Sequence, residues 1–575
     1  MRATLAALFF IPLAAVAAAP KAIPTFHSLG LYWSPDEGAE SKAAKVRFRE
    51  AGASSWREGL ELWFDARNGE YRGSLVELKP GTQYEIQLRI EGRSETLKAR
   101  TWSETFKVKR TVQVAPGTTH LVIERSDSGS AEEGYVVFTA PKGKNVIDQS
   151  EVAGNNLVKD SCVIVRQGVH HVIIRGLVLK DCKRAGVLLD RQFEPVLEAQ
   201  THDIVIEDNE VSGWGGLGNN KPNSDVIDND GAVQCSYWRE KDDAKRPDRI
   251  VIQRNVMRDP RHGSRPWRIG ADRKHPMGAN GVIFANCGSN HVIRYNDIYA
   301  RNGNHFMDGL GGADNFSLAG FPWADSDIYG NRISDAYDDG IEAEGANRNV
   351  RIWSNYLDRV FVPIANAATA VGPLYVWRNV SNRVAGMYQP DADPDREQRG
   401  PFIKAGSNHA QFNGGRAYYF HNTVLQPSGK GRFPAGAGWG ILNSGGKAFN
   451  IVTRNNIWHI HNEVHVHGQP KFYALMVDAD RGPVDADYDL YNGRLGNLGR
   501  DAERNGWQAT PVFDRGNLTL KPGSPGHGRA VRIPNFNDQY AKPDVGAQQS
   551  GAPALRFGAS PSSASPVDGL AHVSR

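Results

Sequence analysis

A six-residue phrase, apolar-x-x-Asn-x-apolar, returns along the middle of the chain at 206–211, 252–257, 293–298, 328–333 and 352–357. It narrows the possible folds more than any other feature. Its Asn falls at Asn209, Asn255, Asn296, Asn331 and Asn355, and looser copies put Asn379, Asn422 and Asn455 in the equivalent place. β-Branched residues alternate with polar ones around each copy, and no helical period runs through them. The tightest interval, Asn331 to Asn355, is the length of one turn of a parallel β-helix, and the longer intervals are turns carrying insertions. Asn side chains stacked turn over turn can join their amides into a ladder. That is a physical reason for a polar residue to recur at a strand-to-turn bend.

The ends of the chain read differently. Arg2, an apolar run over 5–16 and small residues at 17–19 have the form of a cleavable signal peptide, 1–19, too short to span a membrane. No later stretch is apolar enough for a membrane helix, so the expected product is a secreted or periplasmic monomer. Residues 24–105 alternate in short strand-like runs, 106–548 carry the coils, and 549–575, rich in Ser, Pro, Ala and Gly, are expected to be disordered. Cys162, Cys182, Cys235 and Cys287 are too few and too scattered to define a disulfide framework, and are expected as buried, unpaired thiols.

A second phrase, x-Asp/Asn-Gly-apolar, opens the other long strand of several coils. After Ala185-Gly186 it gives Asp230-Gly231, Asn280-Gly281, Asp308-Gly309 and Asp339-Gly340. In register, these side chains form one column with about 4.8 Å between turns. Asp338, Glu342 and Glu344 add acids beside Asp339. Like charges this close share protons, which prepares a carboxylic acid beside a carboxylate, the pair that glycosidic cleavage needs. The catalytic candidates are therefore Asp308, Asp339, Asp338 and Asp230. Asp-Gly also makes ordinary bends, in which the Asp caps a neighbouring amide.

Around the column lie groups suited to hold a substrate. The loop between Met257 and Asn280 carries Arg265, Trp267, Arg268, Arg273, Lys274 and His275, a set able to grip carboxylate or sulfate groups. His305 can hydrogen-bond to Asp308, and Glu342 lines the same strand. Trp214, Tyr237, Trp238 and Trp323 are further sugar-stacking candidates. Two positions before each ladder Asn, an outward column runs Glu207, Gln253, Arg294, Tyr329, Trp353, Trp377, Phe420 and Thr453; its aromatic half calls for a cover, for which 488–545 is suited. No nucleic-acid motif, phosphate loop or nucleophile elbow accompanies these features.

The coil pattern resembles the right-handed parallel β-helix, or pectin-lyase-like, fold of polysaccharide hydrolases and lyases. Within it, Asp228-Asn229-Asp230-Gly231 and Asp338-Asp339-Gly340 are similar to the Asn-Thr-Asp and Asp-Asp motifs of polygalacturonase-type glycoside hydrolases. The resemblance implies Asp339 or Asp338 as general acid and Asp230 or Asp308 as its partner, Asp308 fitting the one-coil spacing better. The Arg-Ile-Lys motif of those enzymes does not occur, and Gly-His-Gly occurs only at 526–528, far from the acids in sequence. Trp33 and Leu78-Lys79-Pro80-Gly81-Thr82-Gln83-Tyr84 resemble the early Trp and tyrosine corner of a fibronectin type III domain, which implies a spacer or carbohydrate-side module. The expected protein is all-β, a small sandwich followed by a right-handed parallel β-helix. Its expected function is hydrolysis of an anionic, uronate-containing polysaccharide, with no cofactor required. A lyase is the alternative, with Lys404, Arg268 or Arg294 as base and calcium held by the acids. A non-catalytic carbohydrate-binding surface protein is the third class.

Overall fold

The computed structural model describes residues 18–560 apart from 142–145, 154–159, 191–198, 217–229, 238–239, 241, 268–274, 313–314, 368, 383–385, 388–397, 400, 408, 427–441, 445–447, 449, 461–464, 467–468, 471–472, 478–483 and 515–517. The apolar N-terminal run, Asp228, Asn229, Trp238, Arg268, Arg273, Lys274 and the last fifteen residues thus lie outside the described residues. The fold is all-β.

The N-terminal unit is a sandwich of two four-stranded antiparallel sheets. Strands such as Leu29–Ser34 and Gln83–Ile90 bury alternate residues, so Leu29, Leu31, Trp33, Ile86 and Leu88 fill the space between the sheets. Tyr84 closes a corner, its hydroxyl accepting a hydrogen bond from Lys79 N at 2.9 Å.

The rest is a parallel β-helix. One strand of each coil joins a 12-stranded parallel sheet that runs from Val108–Gln113 to Asp485–Ala486. The other strands form a 20-stranded sheet, in which two coils fuse their strands into the bent segments Arg332–Glu342 and Tyr356–Ala367. Ile, Val and Leu residues from all faces meet in one continuous core extending from Val114 to Leu498.

The Asn ladder holds the bend between the two sheets. Asn331 shows the pattern: its Nδ2 donates to Asn355 Oδ1 at 2.9 Å and to Ile293 O at 2.9 Å, while its Oδ1 accepts from Asn296 N and Nδ2. Every buried polar atom of the amide is thereby used. The same contacts run from Asn209 through Asn255, Asn296, Asn331, Asn355 and Asn379 to Asn422. The next rung is Asn456, not the expected Asn455, and it ends on Asp489, an acceptor that also takes hydrogen bonds from Thr453 and Trp458. The register pairs Phe420 with Arg454 and Tyr419 with Thr453, so the outward column likewise ends on Arg454 rather than Thr453.

The aromatic half of that column is covered. Tyr329, Trp353 and Trp377 stack face to face, and Phe536 and Ile533 from 488–545 close over Trp377 and Phe420 together with Val76 of the sandwich. Sandwich and β-helix are also joined by polar contacts around the fully buried Arg351–Asp327 pair, which Ser74 and Ser28 complete.

Two expectations are corrected. The cysteines are paired, Cys162 with Cys182 and Cys235 with Cys287. Coiling brings residues 20 and 52 apart in sequence to Cα separations of 5.3 and 6.1 Å, and closing such loops is worth about 3–4 kcal/mol each in the chain-entropy account. Residues 551–560, placed by composition in a disordered tail, lie on the β-helix. Phe557 packs with Tyr356, Leu425 and Leu518, and Gly558 N donates to Gly330 O at 2.8 Å; one aromatic anchor outweighs the polar composition around it.

Candidate functional site

The acids gather where strands Asn280–Ala285, Leu310–Gly312 and Arg332–Glu342 lie side by side. Val282 pairs with Leu310 and Leu310 with Ile341, so Asn280, Asp308 and Asp339, each two residues earlier, stand in one column. The glycines that follow are there for packing. A Cβ on Gly309 would come within 2.6 Å of Gly340 O and 2.4 Å of Ile333 Cγ2, and one on Gly340 within 2.8 Å of Pro363 O. Glycine thus lets the coils close, while the preceding side chain is free to carry chemistry.

Asp230 falls out of register. Gly231, not Asp230, is opposite Asn280. Its carboxylate lies 2.9 Å from Arg184 and accepts from Gly216 N at 2.8 Å, as a bend residue held by its own neighbourhood.

Asp308, Asp338 and Asp339 converge: one carboxylate oxygen from each lies within 4.8 Å of the others. Asp308 Oδ1 also accepts from Asp339 N at 2.9 Å, so it caps a bend as well as belonging to the cluster. Asp338 receives two donors, Trp267 Nε1 at 3.0 Å and His275 Nε2 at 2.9 Å. Lys404 Nζ reaches Asp339 Oδ2 and Glu344 Oε1, both at 3.0 Å. Glu342 accepts from Asn315 at 2.9 Å. All five acids are buried, whereas His275, 49% exposed, and Lys404, 30% exposed, reach solvent and Trp267 and Asn315 are partly exposed.

These contacts divide the acids electrostatically. Burial raises Asp308, and the charges of Asp338 and Asp339 raise it further, well above the ordinary carboxylate range. Burial likewise lifts Asp339 well above that range, Lys404 pulling back and Asp338 and Glu344 adding to the rise. For Asp338 burial also acts upward, but the His275 hydrogen bond, the Lys404 charge and the Trp267 hydrogen bond outweigh it and hold the group below its ordinary value. Glu342 and Glu344 are raised, chiefly by burial. Lys404 is raised despite its burial, because Asp339 and Glu344 hold its proton. His275 is raised, the Asp338 carboxylate outweighing desolvation. One acid held toward its ionised form therefore stands beside a pair pushed toward sharing a proton.

The remaining candidates divide between the site and elsewhere. Trp267 lies over Asp338, 4.4 Å from the His275 ring, and Arg265 Nε donates to His275 O at 3.0 Å, bracing the loop rather than the acids. His305 bonds to Gly303 O at 3.1 Å and packs at a tilt against Tyr337, contacts that occupy it in place of the expected one with Asp308. Arg294 belongs to the 12-stranded sheet, beneath Phe26 and paired with Glu104, away from the acids. Trp214 and Tyr237 are core residues, and Trp323 is buried, so none of the three offers a face to a sugar. Sequence reasoning gave His275 no role at the acids and read Lys404 only as a base. Comparison with known proteins returns no matching family model, no matching curated protein and no matching solved structure.

Proposed function

We propose that this chain is an exported glycoside hydrolase of the pectin-lyase-like class acting on an anionic, uronate-containing polysaccharide. The observation that carries the reading is the opposite titration of sequence neighbours Asp338 and Asp339 within 4.8 Å of Asp308. Asp338, ionised, activates water or attacks the anomeric carbon. The Asp308–Asp339 pair, sharing a proton, delivers it to the departing oxygen. Trp267 and His275 both donate to Asp338 and are both partly exposed, so they rim the acid cluster on its solvent side, where a sugar would enter. That rim, with Lys404, is what favours a uronate over a neutral sugar. Two disulfides support export, and the Tyr84–Lys79 corner supports a fibronectin type III-like spacer for the sandwich.

Elimination by a lyase fits less well. A lysine base must be neutral, and Lys404 is held protonated by two carboxylates 3.0 Å away. Calcium takes six to eight oxygen ligands. Here Asp308, Asp338 and Asp339 offer three convergent oxygens, and the positive charge they require is already supplied by Lys404 and His275. The test is incubation with uronate-rich and neutral polysaccharides. Hydrolysis predicts new reducing ends without ultraviolet-absorbing unsaturated product; unsaturated product that disappears on chelation establishes the lyase instead.

A further inference from the structure

Away from the acid cluster, on the 12-stranded sheet, three coils assemble a second polar group. His170 and His202 are paired in register and their rings stack at 4.9 Å, nearly parallel. His202 is in turn paired with Asp248 on the next coil. Beside this column lie His171, Asp203 and Arg249. His171 Nδ1 faces His170 Nδ1 at 3.2 Å, which leaves its Nε2, 3.8 Å from Asp203 Oδ2, directed at the carboxylate. His202 Nδ1 is 2.6 Å from the same oxygen. One donor atom from each of His171, His202 and Asp203 lies within 4.8 Å of the other two.

We propose that His171, His202 and Asp203 form a site for a divalent transition metal of the zinc type, at the junction of the β-helix and the sandwich. Two imidazoles and a carboxylate are the donor set that zinc selects over magnesium or calcium. Arg249 orients the carboxylate, its Nε donating to Asp203 Oδ1 at 2.9 Å and its Nη2 to Oδ2, while Tyr135 donates to Oδ1 at 3.4 Å; Oδ2, which also faces His202 Nδ1 and His171 Nε2, is the oxygen turned toward the metal position. Arg249 divides its charge between Asp203 and Asp248, 2.5 and 3.4 Å away. The metal also has a way in. A cavity of about 430 Å³, walled by Phe26, Trp102 and Tyr135, opens beside His171 and Asp203 and leaves room for water as a fourth ligand.

The test uses the full chain, stripped with a chelator and titrated with cobalt(II) and zinc(II). Expected are one equivalent bound, cobalt absorption of a nitrogen-ligated site, displacement by zinc, and affinity lowered more than about tenfold in both His171→Ala and His202→Ala. Asp203→Asn reads the same loss if an alanine variant fails to fold. Asp339→Asn leaves binding unchanged. Absence of binding by the parent chain, binding that survives the histidine substitutions, or binding lost in Asp339→Asn overturns the site.

Discussion

Asp338 and Asp339 are chain neighbours whose carboxylates face different cations: His275 Nε2 lies 2.9 Å from Asp338, and Lys404 Nζ lies 3.0 Å from Asp339. Both acids are buried, yet only Asp338 is held below its ordinary value, because two hydrogen bonds converge on it while Asp339 shares Lys404 with Glu344. In a strand, adjacent side chains point to opposite sides. Here the bend within Arg332–Glu342, marked by a register shift between Ala336 and Asp339, brings both to one site.

Replacing either residue by Asn separates chemistry from folding. Asp338→Asn removes the ionised member and Asp339→Asn the proton donor. Each should lower the rate about 10²–10⁴-fold on a substrate the parent cleaves, with circular dichroism unchanged.

The pH profile follows from the directions of the shifts. Activity falls on the acid side when Asp338 takes up a proton, below the usual carboxylate range, and on the alkaline side when the raised Asp308–Asp339 pair loses its proton. His275→Gln weakens the contact that holds Asp338 down, so kcat/KM measured against pH should show the acid limb moved to higher pH while the alkaline limb moves less.

The ladder predicts a stability cost far from the site. Asn331→Ala leaves Asn296 N, Asn296 Nδ2 and Ile293 O without their partners. At about 1–3 kcal/mol for each buried orphan, a loss of at least about 3 kcal/mol is expected in denaturant unfolding, with the m-value unchanged.

A buried acid at the ladder's end gives stability its own pH dependence. Burial, with the charge of Asp489, pushes Glu503 up to about 10 from an ordinary 4.5. Between those values the folded chain keeps a proton that the unfolded chain has released, so this group's contribution to stability is fully present below about pH 4.5 and is lost as pH rises toward 10. Glu503→Gln should flatten that decline in melting temperatures taken across the range.

What could be read from sequence was whatever repeats. Asn at a fixed place in each coil is legible because its amide donates to one copy and accepts from another. The tandem Asn455-Asn456 defeats that reading, since only strand register selects the second. Asp230-Gly231 carries the right phrase one residue out of step, and the pairing of Gly231 with Asn280 is a property of the sheet, not of the phrase. Lys404 reaches Asp339 across 65 residues of chain in which the Asp-Gly phrase does not recur, and the cysteine pairs depend on coil lengths that insertions hide.

The central claim is that water is added across a glycosidic bond at the Asp308–Asp338–Asp339 cluster. Cleavage of a uronate-rich polysaccharide in heavy-oxygen water, followed by mass spectrometry of the fragments, measures it directly. The prediction is one heavy oxygen at each new reducing end, formed by the parent chain and not by Asp338→Asn. Fragments with a double bond and no heavy oxygen, or labelled fragments made equally well by Asp338→Asn, would contradict it.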